Sequence, residues 1–246
     1  MAGGGAAGLM VAITSARLGA QVTILERNDR LGKKILATGN GKCNLGNRCL
    51  SASEYYTSGD SGFVGECLEC FGTKETIRFF EELGLELKDK NGYLYPACEQ
   101  AGAVLDVLRY EAAALGVGLV TECRVRQIER DAGNGKILVR GDGGGFLFDS
   151  LVLACGGRAA PKTGSDGSGF LLAGQIGHSI VPVVPALVQL RCREDFLKSV
   201  SGVRAEAVVS LLHQQKGISE RGELQLTDYG ISGIPVFQLS RTVNYI

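Results

Sequence analysis

Three glycines spaced Gly3-x-Gly5-x-x-Gly8 stand directly before a helix-periodic run, and no other feature narrows the fold of this chain as much. The run places Leu9, Ala12, Ile13 and Ala16 on one face, with Gly19 to end it, and leads into "QVTILE", an apolar strand closing on Glu26. In a parallel α/β unit the first glycine permits the tight turn, the second lets a pyrophosphate approach the backbone, and the third lets the helix pack closely on the sheet. The helix start then offers free N–H groups and the positive end of its dipole to phosphate. Glu26 lies eighteen residues after Gly8, where a carboxylate accepts hydrogen bonds from a ribose. A carboxylate there disfavours a 2′-phosphate, so NADP is not the expected occupant.

The segment after the strand, "RLGKKILATGNGKCNLGN" (30–47), holds four glycines, three asparagines and three lysines with almost no apolar periodicity. A simple NAD-binding unit would continue with an ordinary crossover helix. A second long glycine loop beside the first suits a larger cofactor wrapped by backbone, which points to FAD. The later "LVLACGG" supports this, as a strand that returns to the cofactor and ends on a glycine pair.

Composition limits the remaining choices. With 26 Lys and Arg against 26 Asp and Glu, the formal charge is zero, which argues against general binding to nucleic acid or a membrane surface. Residues 1–50 nevertheless carry seven basic against two acidic side chains, a local excess that suits a small anionic ligand. Eight cysteines without a signal peptide read as reduced cytoplasmic thiols, and Cys67-x-x-Cys70 lacks the second suitably placed pair that a zinc site needs. The longest apolar stretch, "SIVPVVPALVQL", is too short for a bilayer and is broken by Pro182 and Pro185.

Further along, helices are expected at 62–71, 74–83 and about 100–115, with a hairpin turning at Asn91-Gly92 between the second and third. "GLVTECRVRQIERD" and "KILVRGD" read as a strand pair, "FDSLVLACGG" as a buried strand, and "GSDGSGFLLAGQIGH" as the glycine-rich entry to another helix. From Leu190 the text changes to alternating strands and a last apolar, helical segment. Both ends read as cut: Met1-Ala2 leave no room for the first strand of a parallel unit, which predicts two unpaired parallel edges, and no stop signal closes the last segment.

The motifs "GGGAAGL", "GKKILATGNGKCN", "YLYP", "LVLACGG" and "GELQLTDYGISGIPVFQLSR", in this order over almost the whole chain, resemble a bacterial flavoprotein family, the aminoacetone-oxidase-like FAD enzymes, which includes a dehydro-bile-acid reductase. The resemblance implies an α/β fold: a glutathione-reductase-type, Rossmann-like FAD-binding domain over residues 1–190, then an incomplete inserted β-rich substrate domain over 191–246. It implies hydride transfer between a small organic substrate and flavin; "GSDGSG" lacks the full dinucleotide fingerprint, so NAD(P)H, if it is the reductant, would bind only transiently. Carried over by position, Gly3, Gly5, Ala6, Ala7 and Gly8 would hold the pyrophosphate and Glu26 the adenosine ribose. Lys34 would lie near the phosphates, with Thr38, Gly39, Asn40, Gly41, Cys43 and Asn44 along the ribityl and isoalloxazine. Val125 would present backbone to adenine, and Ala154, Gly156 and Gly157 would close that side. The chain departs from the family in Lys42, commonly Arg, and in the "ACGG" segment, which commonly carries a Thr. No residue stands out as the catalytic acid or base.

Other readings compete. Cys43 and Cys49 could serve a flavin disulfide reductase, although Cys-x5-Cys turns the second sulfur about 100° away from helical alignment. Cys67-x-x-Cys70 is expected to be two small buried side chains of an apolar helix. His178 could donate a proton near substrate but is rather expected to cap a helix end, Tyr93 and Tyr95 to line a route to the cofactor or pack in the core, and His213 has no evident partner. A truncated, non-catalytic product is the remaining alternative.

Overall fold

The glycine-led segment turns into its helix where the spacing predicts: Gly5 is the N-cap of α1 (Ala6–Arg17), and Gly19, with φ of 89°, ends the turn beyond it. The computed structural model describes residues 1–56, 62–130, 133, 135–213 and 216–244. After α1 come β1 (Thr23–Leu25), β2 (Gly46–Asn47), α2 (Gly62–Cys70), α3 (Thr73–Glu82), β3 (Leu87–Lys90), β4 (Tyr93–Pro96), α4 (Ala101–Ala114), β5 (Gly118–Val120), β6 (Val125–Arg130), β7 (Ile137–Gly141), β8 (Gly144–Phe148) and α5 (Ser168–Gln175). These fall in one compact unit, Met1–Ile180. The second unit, Val181–Ile246, holds β9 (Leu190–Arg191), β10 (Arg204–His213), β11 (Lys216–Thr227), β12 (Gly230–Ser232) and α6 (Ile234–Val243).

The first unit is built around a short parallel sheet. β1 pairs with β5, Ile24 opposite Leu119. On its other side, Ala2 bridges in parallel to both Leu25 and Leu153. The expectation of two unpaired edges is therefore corrected. In a parallel ladder one residue bonds to both neighbours, and Ala2 donates to Val152 O at 2.9 Å and accepts from Ala154 N at 2.8 Å, while Met1 O and Leu25 O complete the other side. α1 packs against this sheet, and α3 and α4 share its core, through Leu9, Ile13, Ile24, Phe79, Val104 and Leu108. Each such side chain contributes about 1.5–3 kcal/mol on burial. Arg17 joins these helices at their rim, paired with Glu111 at 2.7 Å and lying 5.4 Å from the Phe79 ring centre.

The stretch "GLVTECRVRQIERD" is not one strand. β5 stays in the parallel sheet, and after Glu122, with φ of 54°, the chain leaves it as β6 and forms an antiparallel meander with β7 and β8. A second core forms beneath the meander from Leu25, Cys123, Ile128, Val139 and Leu172. "LVLACGG" is likewise a bridge rather than a strand, Leu153 pairing in parallel with Ala2. The β3–β4 hairpin turns at Asn91 and Gly92, with φ of 55° and 87°, and β2 extends its sheet. Helix α2 carries no buried residue, so Cys67 and Cys70 are exposed rather than buried as expected.

The second unit is an antiparallel sheet in the order β10-β11-β12-β9, with α6 covering it through Val236 and Leu239. The long β10–β11 ladder pairs Arg204 with Gln225 through to His213 with Lys216. The His213 side chain lies outside the described residues.

Candidate functional site

The turn between the strand stub and α1 allows side chains at some positions and forbids them at others. A Cβ on Gly3 would lie 2.5 Å from Ala154 O, and one on Gly8 only 2.0 Å from Gly3 O. Nothing lies within 4 Å of a Cβ placed on Gly5. Gly8 is thus demanded by packing, whereas Gly5 opens onto empty space. That space is a cavity of about 850 Å³ lined by Gly3, Gly5, Ala6 and Ala7, among others. It stands near the upper end of the range for small-molecule and cofactor sites, roughly 300–1,000 Å³. No acidic residue occupies the first turn of α1, leaving its N–H groups and dipole available to an anion.

Glu26 ends β1 on the cavity wall. Its carboxylate is 6% exposed and is held by donors from the chain: Gly4 N–H reaches Oε2 at 2.7 Å, and Asn28 reaches Oε1 through its backbone N–H at 2.8 Å and its side-chain amide at 2.6 Å. Beside it, Arg27 pairs with Asp166 at 2.5 Å, and Arg124 approaches the same carboxylate at 3.3 Å. Burial raises the Asp166 carboxyl, but hydrogen bonds from Arg27 and Ser168 override it and hold the group well below the usual range.

The glycine-rich loop contributes Lys34, Thr38, Cys43 and Asn44 to the lining, and Val125, Ala154 and Gly156 line it too, Ala154 directly against Gly3. Gly39, Asn40 and Gly41 are not among the lining residues; they carry φ of 54°, 53° and 83° in a tight turn that returns the chain to Cys43. Their residue types follow from that turn, since left-handed backbone disfavours residues with a bulky Cβ. Gly8 and Gly157 also stay out of the lining. Met10, Phe80, Val104 and Leu108, from the first core, and Leu172, from the second, add apolar surface to the lining. Burial pushes the Cys43, Cys123 and Cys155 thiols up, so these three face the cavity as neutral groups.

Other singled-out residues lie elsewhere. Cys49 is exposed and does not line the cavity that Cys43 lines. Tyr93 and Tyr95 border a separate cleft of about 180 Å³ with Lys42, Lys90, Asn91 and Glu99. There Glu99 is held down to about 2 by hydrogen bonds from Lys42 and Lys88. His178 is exposed; its backbone N–H bonds Ala173 O at 3.1 Å, at the end of α5. Among the described residues no group of three or more His, Cys, Asp or Glu side chains could hold a metal ion, and no helix is long and apolar enough to cross a membrane. Sequence reasoning missed Arg27, Asn28, Arg124 and Asp166. The "ERND" text carried a signal for Asn28, because an Asn two residues past a strand-end carboxylate can bond back to it.

Comparison with known proteins agrees with this architecture. The model of the HI0933-like protein Rossmann domain matches residues 1–229. A 3-dehydro-bile acid delta(4,6)-reductase of Clostridium scindens is 47% identical over 244 residues, 98% of this chain and 59% of that protein. A ribosomal RNA dihydrouridine synthase of Haemophilus influenzae is 30% identical over 244 residues, 97% of this chain and 59% of that protein. The chain thus spans about three fifths of the curated relatives it matches. Among solved structures, the 3-ketosteroid-delta4-(5alpha)-dehydrogenase of Rhodococcus jostii superposes with a TM-score of 0.53 at 17% identity, covering 83% of this chain and 58% of that one. A flavocytochrome c3 fumarate reductase gives 0.52 at 19% identity, covering 83% and 46%. At these identities the likeness is one of fold.

Proposed function

The chain belongs to the HI0933-like Rossmann-domain family, and from that membership we propose that it forms the FAD-binding part of an oxidoreductase acting on a small organic substrate. One observation carries the reading: one cavity is lined together by the start of α1, the Glu26 carboxylate and residues of the Lys34–Asn44 loop, the parts a dinucleotide site needs. The residues fit the group. Gly5 leaves open the space a Cβ would fill, so the pyrophosphate can lie on backbone there, with Ala6, Ala7 and the α1 N–H groups. Lys34 adds a cation, Glu26 receives a ribose hydroxyl, and Val125, Ala154 and Gly156 line the adenine end. Thr38, Cys43 and Asn44 border the ring end, while Gly3, Gly8, Gly39, Asn40, Gly41 and Gly157 shape the backbone that carries these contacts. Bound FAD supplies the hydride chemistry. The chain's part is to position it, with apolar lining from Phe80, Val104, Leu108 and Leu172 to exclude water.

The Clostridium scindens relative supports an unsaturated steroid acid as substrate, because its name describes reduction at positions 4 and 6. A formal charge of zero favours a small molecule over ribosomal RNA. NAD(P)H serves as a transient reductant under this reading, and eight free cysteines suit the cytoplasm. The disulfide-reductase alternative finds no support in the placement of Cys49.

Titrating the purified chain with FAD tests the reading. Saturable quenching of flavin fluorescence is expected, with FAD recovered by mass after denaturation. Absence of binding at high micromolar FAD would overturn it. For the substrate, 3-oxo steroids and bile acids with 4,6-unsaturation should lose their conjugated absorbance in the presence of NADH or NADPH, and a uridine-containing RNA should be unchanged.

A further inference from the structure

The Glu26 side chain is buried and makes no salt bridge among the described residues. Three N–H donors hold it instead, and two belong to Asn28, whose backbone and amide both reach Oε1. A carboxylate offers about four acceptor positions, two on each oxygen. Asn28 therefore fills Oε1, and the position left free is on Oε2, beside Gly4.

Asn28 is itself held from two sides. Its carbonyl accepts Glu122 N–H at 2.9 Å, which ties it to the β5–β6 connection. A Cβ on Gly164, where φ is 105°, would come within 2.7 Å of Asn28 Nδ2. The loop before α5 thus sits directly behind the amide, and the Arg27–Asp166 pair fastens that loop two residues further on.

We infer that Asn28 is the positioning residue for Glu26: it saturates Oε1 and turns Oε2 toward one hydroxyl of the cofactor's adenosine ribose, with the Gly164 loop as its backstop. This rests on the FAD reading above. Asn28 acts through Glu26, so its contribution must vanish when Glu26 is gone.

A double-mutant cycle on the FAD dissociation constant, read from flavin fluorescence quenching with the full chain, tests this. Asn28→Ala should raise the constant about ten-fold, the effect of one hydrogen bond to a charged acceptor. In a Glu26→Ala background the same change should have no further effect. Gly164→Ala, which crowds the amide without removing it, should weaken FAD in the wild-type background and not in Glu26→Ala, and it carries the test should Asn28→Ala fail to fold. A merely structural role would give the same loss in both backgrounds, and that result overturns the inference. So does an unchanged constant for Asn28→Ala. A wild-type chain that binds no FAD overturns the flavin reading as well, which separates the two failures.

Discussion

Gly5 and Gly8 stand three residues apart on one turn and answer to different demands. A methyl on Gly8 meets backbone at 2.0 Å, while one on Gly5 meets nothing. Gly8→Ala should therefore cost about 1–3 kcal/mol or more of stability in urea unfolding, because backbone cannot yield as a side chain can. Gly5→Ala, at φ of −80°, should leave stability within about 0.5 kcal/mol and yet weaken FAD binding several-fold. The cysteines divide in a similar way. Cys49, Cys67, Cys70 and Cys98 are exposed, whereas Cys43 and Cys123 are buried. With an aromatic disulfide reagent in the native state, those four should react first and Cys43 only on unfolding. Rapid labelling of Cys43 would contradict the burial that raises its thiol.

At the level of elements, the β3–β4 hairpin shows local chemistry deciding local structure. Asn91 and Gly92 both adopt positive φ, as a two-residue turn between right-twisted strands requires, and Gly92 N–H bonds Asp89 Oδ1 at 2.7 Å. Gly92→Val should cost about 1–2 kcal/mol by forcing a branched residue into left-handed backbone, measurable as a lower urea midpoint. Helix α2 shows the opposite case. Its "GFVGECLEC" text is apolar enough to suggest burial, yet no other described element covers it closely enough to bury a residue. Periodicity reports which face could be buried, and only the neighbouring elements decide whether it is. The meander's centre is better determined: Val139 is fully buried in it, and Val139→Ala should destabilise by about 2 kcal/mol.

For the molecule as a whole, the charge balance conceals a set of carboxylates held in charged form. Asp166, Glu99, Asp89 and Asp142 all lie below their ordinary values, through partners in Arg27, Lys42 and Lys88, Gly92 and Arg48, and Arg126. A depressed folded value means that the stability gained is fully present above the unfolded pKa, about 3.9 for Asp and 4.3 for Glu, and is lost as pH falls through the folded values. The urea midpoint should stay level from neutral pH to about 5 and fall between about 4 and 2. Glu99→Gln should make that fall shallower. An equal fall in wild type and variant would show that Glu99, only half-buried, contributes nothing measurable.

The α1 turn, the strand-end Glu26, the Asn91-Gly92 hairpin and the β-rich character of residues 204–232 were legible in the residues alone, because each rests on backbone conformation or periodicity within a few residues. The sequence also pointed to most of the cavity lining, since the two glycine-rich segments mark where backbone must turn sharply. What it could not show is which glycines face the cavity and which only turn the chain. Gly39 and Gly41 look like Gly5 in the text and differ from it in space. Nor could it place Asn28 between Glu26 and Gly164, which are 138 residues apart in the chain. Those contacts arise only when the parallel sheet brings the end of β1 against the loop before α5, and only the tertiary structure decides which donor meets the buried carboxylate.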